Sequence, residues 1–328
     1  MAPLFPEKSN LREPLGEAWL TGVDCKVASG PFAGKTVGEA WAEMPVEWRG
    51  TSLASAKDFP LLVKFIFPTD KLSIQVHPDD SYASVHEKNA GGRGKTEMWH
   101  VVSADSGAQV LLGLKPGVDQ GKFREGMKQQ TLENLFLAVP VDKGDTLFIP
   151  AGTPHTIGAG MVICEVQEYS DLTYRVYDYG RVDANGKPRE LHVEKALEVT
   201  KFGSRAGGKV TPLPRPAASA TRSLLVACNF FATERWECTE KTEIKVDPAR
   251  FELVAILEGS GSLSWADSEA NYHRGECWLV PASQARIEVL PETATSLIRT
   301  YVPDISVLRT ELHRDGISAA TLAQVVFD

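Results

Sequence analysis

Residues 143–155 read KGDTLFIPAGTPH, and residues 274–286 read RGECWLVPASQAR. The two runs keep step through a basic residue, a Gly, an acidic residue, three mostly apolar positions and an aliphatic-Pro-Ala close. They part at the last position, where His155 in the first copy is Arg286 in the second. A Gly beside an acid makes a turn. The apolar positions then make a short strand, and the Pro ends it sharply. A chain that builds this unit twice predicts two similar β-domains.

The rest of the pattern agrees. Short β-like runs such as PLLVKFIFP, KLSIQVHP, TEMWHVV, AQVLLGL, MVICEVQEY, FELVAILEGSGSLSW and ARIEVLP are broken by Gly, Pro, Asn and Asp. Turn-into-strand units of this kind recur in jelly-roll barrels of the cupin type. The expected fold is mainly β, a double cupin of two jelly-roll barrels with a few short helices. TVGEAWAEM, GKFREGMKQQTLENLFLAV and ELHVEKALEVTK carry apolar residues at three- and four-residue steps and read as helical. The stretch 201–222 is rich in Gly, Pro, Ala and basic residues and reads as a linker. It would separate an N-terminal domain, 1–200, from a C-terminal barrel, 223–328. Each domain then holds one copy of the repeated run.

Composition narrows the function. With 35 basic and 43 acidic residues the net charge is −8, which argues against nucleic acid as the main partner. No apolar run approaches the ~20 residues of a membrane span. The N-terminus shows no basic-then-apolar leader, so none is expected. Five scattered cysteines without a CxxC pair suggest neither a disulfide framework nor a thiolate zinc site. A reducing cytoplasm fits best.

Chemistry-bearing residues lie on the predicted strands. In KLSIQVHP, alternation puts Leu72, Ile74 and Val76 on one face and Ser73, Gln75 and His77 on the other. In GKTEMWHVV, Lys95, Glu97 and Trp99 share a face. In PAGTPHTIG, Gly152 and Pro154 stiffen the mount of His155. Each group alone is ordinary surface chemistry. Taken together, His77, Glu97 and His155 are two imidazoles and a carboxylate, with Gln75 beside them. That set suits zinc with an open position or Fe(II) in a facial triad, and spacing does not separate the two. Lys64 sits in an otherwise apolar strand, Glu165 in another, and Arg175 in a tyrosine-rich loop. A carboxylate such as Glu165 must be paired, ligating or neutral there.

LSIQVHPDD, GKTEMW, KGDTLFIPAGTPHTIG, SDLTYRVYDYGR and RELHVEKALEV together resemble the type I mannose-6-phosphate isomerases, in their shorter bacterial form. The resemblance runs from about residue 16 to residue 199 and more loosely beyond. It implies a zinc ion, one per chain, held by Gln75, His77, Glu97 and His155. It also implies an active-site arginine at Arg175, and substrate-lining residues at Ser73, Lys64, Lys95 and Glu165. Of these, Arg175, Lys95 and Glu165 are the catalytic candidates, and Ser73 and Lys64 the substrate-binding ones. The implied reaction is reversible conversion of mannose 6-phosphate and fructose 6-phosphate through an enediol. The partner is then a small sugar phosphate, neither nucleic acid nor membrane, and a homodimer is compatible. Longer relatives carry a helical insertion for which only 119–137 is available here. The second barrel, lacking the His and any QxH run, is expected to be a scaffold. Two other classes use similar residues: an Fe(II) cupin oxygenase, and a non-catalytic bicupin that binds sugar phosphate.

Overall fold

The computed structural model of the protein describes residues 4–5, 15–182, 186–203, 207–266 and 268–327, the side chain of Ala90 excepted. Most of the N-terminal stretch read for a leader, and residues 204–206 of the expected linker, lie outside that range. The described residues form 21 strands and seven short α-helices. No helix among them is long and apolar enough to cross a membrane. All five cysteines are free thiols.

Two compact units divide the chain, residues 66–209 and residues 1–65 with 210–328. Residues 1–65 thus group with the C-terminal strands, whereas the division at 200 placed them with the first barrel. Backbone and ring contacts explain the grouping. Ser52 N–H donates to Ala249 O at 2.9 Å, Phe251 N–H to Arg49 O at 3.0 Å and Ala282 N–H to Trp48 O at 2.9 Å. Trp41, Phe59 and Phe251 form a ring cluster with centroids 5.3–5.5 Å apart. Gly50 makes this approach possible. Its φ is +93°, and a Cβ there would meet Arg250 N at 2.3 Å.

In the 66–209 unit one sheet contains, in order, Met161–Glu168, Glu97–Ala104, Thr146–Ile149 and Gly208–Lys209. The other runs Tyr174–Tyr177, Ile74–Val76, His155–Ile157, Gln109–Leu114 and Phe136–Pro140. The sheets are antiparallel and stay open at their edges, a jelly roll rather than a closed barrel. Trp99, Val101, Val110, Leu147, Ile157 and Ile163 fill the space between them. A second cluster, including Ile74, Val76, Phe123, Phe136, Tyr174 and Leu197, joins the second sheet to helices Gln120–Lys128 and Val193–Val199. The short central strand therefore has apolar cores behind it and beside it. Leu72 departs from the predicted alternation: it packs against the inter-sheet cluster, not with Ile74 and Val76. The regular strand begins only at Ile74, so the period of two does not reach back to Leu72.

The other unit repeats the plan. One sheet runs Leu213–Arg215, Ala220–Ala227, Ala232–Cys238, Thr295–Tyr301, Glu252–Glu258 and Cys277–Val280. The second runs Thr242–Lys245, Arg286–Pro291, Ser260–Trp265 and Ser268–His273. Helix Val37–Glu43 starts at Thr36, whose side chain and that of Glu39 form a reciprocal capping box. The long helix read over 121–139 is shorter in the structure. It stops at Lys128, Gln130 turns to φ +57°, and the chain passes through a 3-10 turn, Leu132–Leu135, into the strand Phe136–Pro140. Phe123, Leu132 and Phe136 enter one cluster, which a hairpin-like reversal achieves and a single helix does not.

Candidate metal centre

Four strands of the 66–209 unit carry the side chains. Gln75 lies opposite His155 in the ladder, and Arg175 lies opposite Gln75 on the other side. The strand Glu97–Ala104, in the facing sheet, brings up Glu97. His77, Glu97 and His155 offer ligand atoms that all lie within 4.8 Å of one another, the one such group among the described residues. Their side chains are nearly fully buried, at 1, 0 and 0% exposure.

Both imidazoles are held in one tautomer. His77 Nδ1–H donates to Leu172 O at 2.9 Å, and His155 Nδ1–H donates to Thr153 O at 2.9 Å. A carbonyl can only accept, so each Nε2 keeps its lone pair. These two nitrogens face one carboxylate, with His155 Nε2 at 3.4 Å from Glu97 Oε1 and His77 Nε2 at 3.6 Å from Glu97 Oε2. Tetrahedral ligands about 2.0–2.2 Å from a zinc-sized ion stand roughly 3.3–3.6 Å apart, so the spacing suits an ion at the centre. Burial lowers the His155 pKa to about 4, and the nearby Lys95 adds to that effect, so the ring is neutral and ligand-competent near neutral pH. Gln75 Nε2 lies 3.2 Å from His155 Nε2, and a half-turn of its amide would present Oε1 to the same point. Carbonyl-anchored imidazoles of this kind orient metal ligands and fix their tautomer.

Around this set stand the other candidates. Lys95 Nζ is 2.9 Å from Glu97 Oε2, 3.3 Å from His77 Nε2 and 3.8 Å from Glu165 Oε1. Glu165 is buried, and its Oε2 accepts from Trp99 Nε1 at 2.9 Å. Trp99 also meets His155 edge-to-face, with centroids 5.3 Å apart. Arg175 donates from Nε to Ser73 Oγ at 3.3 Å and from Nη1 to Glu190 O at 3.3 Å. Beside it, Asp178 accepts from Arg181 and Arg189. Burial works against the Asp178 carboxylate, yet these hydrogen bonds hold its pKa below the ordinary value. Lys64 lies outside this group of strands. Its buried ammonium is 3.2 Å from Glu17 Oε2 and 5.6 Å from the Trp19 ring. The sequence placed Trp99 on the right face but gave it no role. The Leu172 and Thr153 carbonyls carry no side-chain signal at all.

The second copy carries Arg286 where the first carries His155. Arg286 is two-thirds exposed and pairs with Glu243 at 3.5 Å. Its neighbour Ile287 turns inward and lies opposite Ile244 in the ladder. A slip of one residue has turned the arginine outward, because side chains alternate faces. Ile244, Val246 and Ile287 thus fill the inward positions that Gln75, His77 and His155 hold in the first unit.

Comparison with known proteins places these features in context. The family model for the catalytic domain of type I phosphomannose isomerase matches residues 5–99, and that for the mannose-6-phosphate isomerase cupin domain matches residues 221–302. The mannose-6-phosphate isomerase of Streptococcus mutans is 35% identical over 278 residues, covering 82% of this chain and 83% of that one. The mannose-6-phosphate isomerase ManA of Bacillus subtilis is 30% identical over 270 residues, covering 81% and 83%. The crystal structure of the mannose 6-phosphate isomerase from Bacillus subtilis superposes with a TM-score of 0.81 at 28% identity, covering 90% of this chain and 93% of that one. A putative mannosephosphate isomerase from Archaeoglobus fulgidus shares the fold, with a TM-score of 0.69 at 20% identity and 91% of each chain covered.

Proposed function

The chain belongs to the type I mannose-6-phosphate isomerases, and we propose that it interconverts mannose 6-phosphate and fructose 6-phosphate at the His77–Glu97–His155 centre. The observation that carries this reading is the pair of imidazoles whose Nδ1–H groups are tied to backbone carbonyls while both Nε2 atoms face one buried carboxylate. The donor set of two nitrogens and a carboxylate oxygen, with Gln75 as a neutral fourth, fits zinc in this reading. A zinc ion there would supply Lewis-acid polarisation of the sugar's carbonyl and hydroxyl oxygens.

Aldose–ketose exchange removes a proton from C2, forms an enediol, and returns a proton to C1, with no net change in atoms or electrons. Glu165 is the group proposed to move that proton. Its Oε2 is held by the Trp99 indole, which leaves Oε1 directed towards Lys95. Lys95 lies among Glu97, His77 and Glu165 and would hold the sugar oxygens as charge grows on them. Arg175, with Ser73 as its partner, offers a planar fork for the phosphate or the enediolate. A substrate near −2 charge needs such fixed cations in a chain of net charge −8. A cytoplasmic metabolic setting accords with free thiols and a phosphorylated substrate.

The test is a coupled assay with mannose 6-phosphate, before and after chelation, with metal analysis of the purified protein. Turnover that falls on chelation and returns with zinc is expected, together with solvent deuterium entering the product. Iron with dioxygen consumption would establish an oxygenase instead. Tight sugar-phosphate binding without deuterium exchange would leave only a binding protein.

A further inference from the structure

The ladder registers of the two units can be matched residue by residue. Glu97 lies opposite Ile149, the residue before Pro150, and Glu252 lies opposite Val280, the residue before Pro281. Two positions on, Trp99 faces Glu165 across its ladder, and Val254 faces Arg299. Glu252 therefore stands where Glu97 does, and Arg299 stands where Glu165 does. The carboxylate of the metal centre survives in the second unit, but a guanidinium has taken over its neutralisation. Arg299 donates from Nε to Glu252 at 2.7 Å and from Nη1 to Glu234 at 3.2 Å, and Nη2 bonds both Glu252 and Lys245 O. With the imidazole positions apolar, this is not a metal site.

Glu234, Glu252 and Arg299 are 1, 0 and 6% exposed. Buried ion networks are often no more stabilising than apolar residues of the same volume. Beside this network lies a cavity of about 1060 Å³, larger than a hexose phosphate requires. Its walls include Val246 and Arg299, the register equivalents of His77 and Glu165. The cavity thus reaches two of the matched positions, while Ile244, Glu252 and Ile287, the equivalents of Gln75, Glu97 and His155, do not line it.

Its lining is chemically divided. Arg222 is committed to Glu234 through two hydrogen bonds and Lys241 pairs with Glu288, which leaves Lys245 and Arg250 to bring cationic donors. The Arg250 guanidinium stacks 4.0 Å from the Tyr301 ring, one Nη bonds Asp247 at 2.6 Å, and its buried Nε has no hydrogen-bond partner. A planar fork fixed on an aromatic ring, with only one Nη committed to Asp247, suits an oxyanion. Ser219, Glu288 and Glu311 line the same cavity and supply acceptors for hydroxyl groups. We propose that the second unit holds a non-catalytic binding site for a small phosphorylated polyol, its phosphate at Arg250 and Lys245 and its hydroxyls towards Ser219, Glu288 and Glu311.

Isothermal titration of the full chain with sorbitol 6-phosphate tests this, because the number of bound ligands is read rather than turnover. Two binding events per chain are expected. Arg250→Met should weaken one of them about tenfold or more, and Lys245→Met, a change at an exposed rim residue that leaves the fold intact, should weaken the same event severalfold. Both variants should keep the parent's isomerase activity, and His155→Ala should leave this event in place. Unphosphorylated sorbitol should not bind there, and inorganic phosphate should bind more weakly than sorbitol 6-phosphate. A single event in the parent that His155→Ala removes would overturn the proposal, as would an event that neither Arg250→Met nor Lys245→Met alters. Equal affinity for inorganic phosphate would overturn the polyol part. A single event sensitive only to the Arg250 and Lys245 changes would support this site while counting against the sugar-phosphate reading of the first.

Discussion

His155 is placed by Gly152 and Pro154, and its ring is then set by a hydrogen bond to the carbonyl of Thr153, two residues away. Removing it takes away one imidazole and the edge-to-face partner of Trp99. His155→Ala is expected to lose bound metal and turnover together, read by metal analysis and the coupled assay. Full metal occupancy in that variant would remove His155 from the ligand set. Trp99→Phe asks a different question. The ring contact survives, but the donor to Glu165 Oε2 is gone. Turnover should fall roughly tenfold with metal content unchanged, since a buried hydrogen bond that orients the Glu165 carboxyl is lost. A variant with parental turnover would mean that Trp99 only fills space. The candidate ligands were legible because residue type and strand alternation put the polar groups on shared faces. The supports were not: Leu172 O and Thr153 O act through backbone, and Trp99 looks from its neighbours like any core aromatic.

The strand Met161–Glu168 shows the same division at the scale of an element. Its apolar run and Glu165 could be read from sequence, but its buried end could not. Glu168 is 5% exposed, and its Oε1 accepts from Thr96 N–H at 2.6 Å. Burial, reinforced by Asp80, raises its pKa to about 8. Its ordinary value is 4.5, so between about pH 4.5 and 8 the folded chain binds a proton that the unfolded chain has released. This contribution to stability is complete below the lower value and is lost as pH rises through the upper one. Glu168→Gln keeps the acceptor and does not titrate. Its melting temperature should exceed the parent's at pH 8.5 and match it near pH 4. Parallel melting curves across that range would show that Glu168 is ionised at little cost. The helix read over 121–139 is borne out only as far as Lys128, for a related reason. Apolar spacing of three and four residues fitted one helix, but the residues reach their common cluster through a turn at Gln130, and a tertiary contact overrode the local pattern.

Across the whole molecule the duplicated run made the double architecture readable, while the fate of its second copy depended on a slip that sequence alignment hides. His155 and Arg286 align residue for residue, yet one points inward and the other is two-thirds exposed. Packing was kept where ligation was lost. In the copied strand Cys277–Val280, Val280 is buried and Trp278 is partly buried against the same core, while Leu279 lies on the alternate face. Trp278 also donates from Nε1 to Glu276 at 3.1 Å. Trp278→Ala should therefore destabilise the protein by about 2–4 kcal/mol, toward the lower part of the range for large-to-small core changes because the ring is not fully enclosed. At roughly 2–4 °C per kcal/mol for a domain of this size, the melting temperature should fall by about 5–15 °C. Leu279→Ala should lower it less. Arg286→Ala removes only a solvent-screened pair with Glu243 at 3.5 Å and should shift it by less than about 2 °C. Metal content should stay at one ion per chain in all three variants, since the second unit's inward positions are Ile244, Val246 and Ile287. Two ions per chain in the parent, or loss of an ion on changing Arg286, would mean that the second barrel ligates metal after all. A Trp278 variant that melts with the parent would mean that this strand is not part of what holds the second unit together.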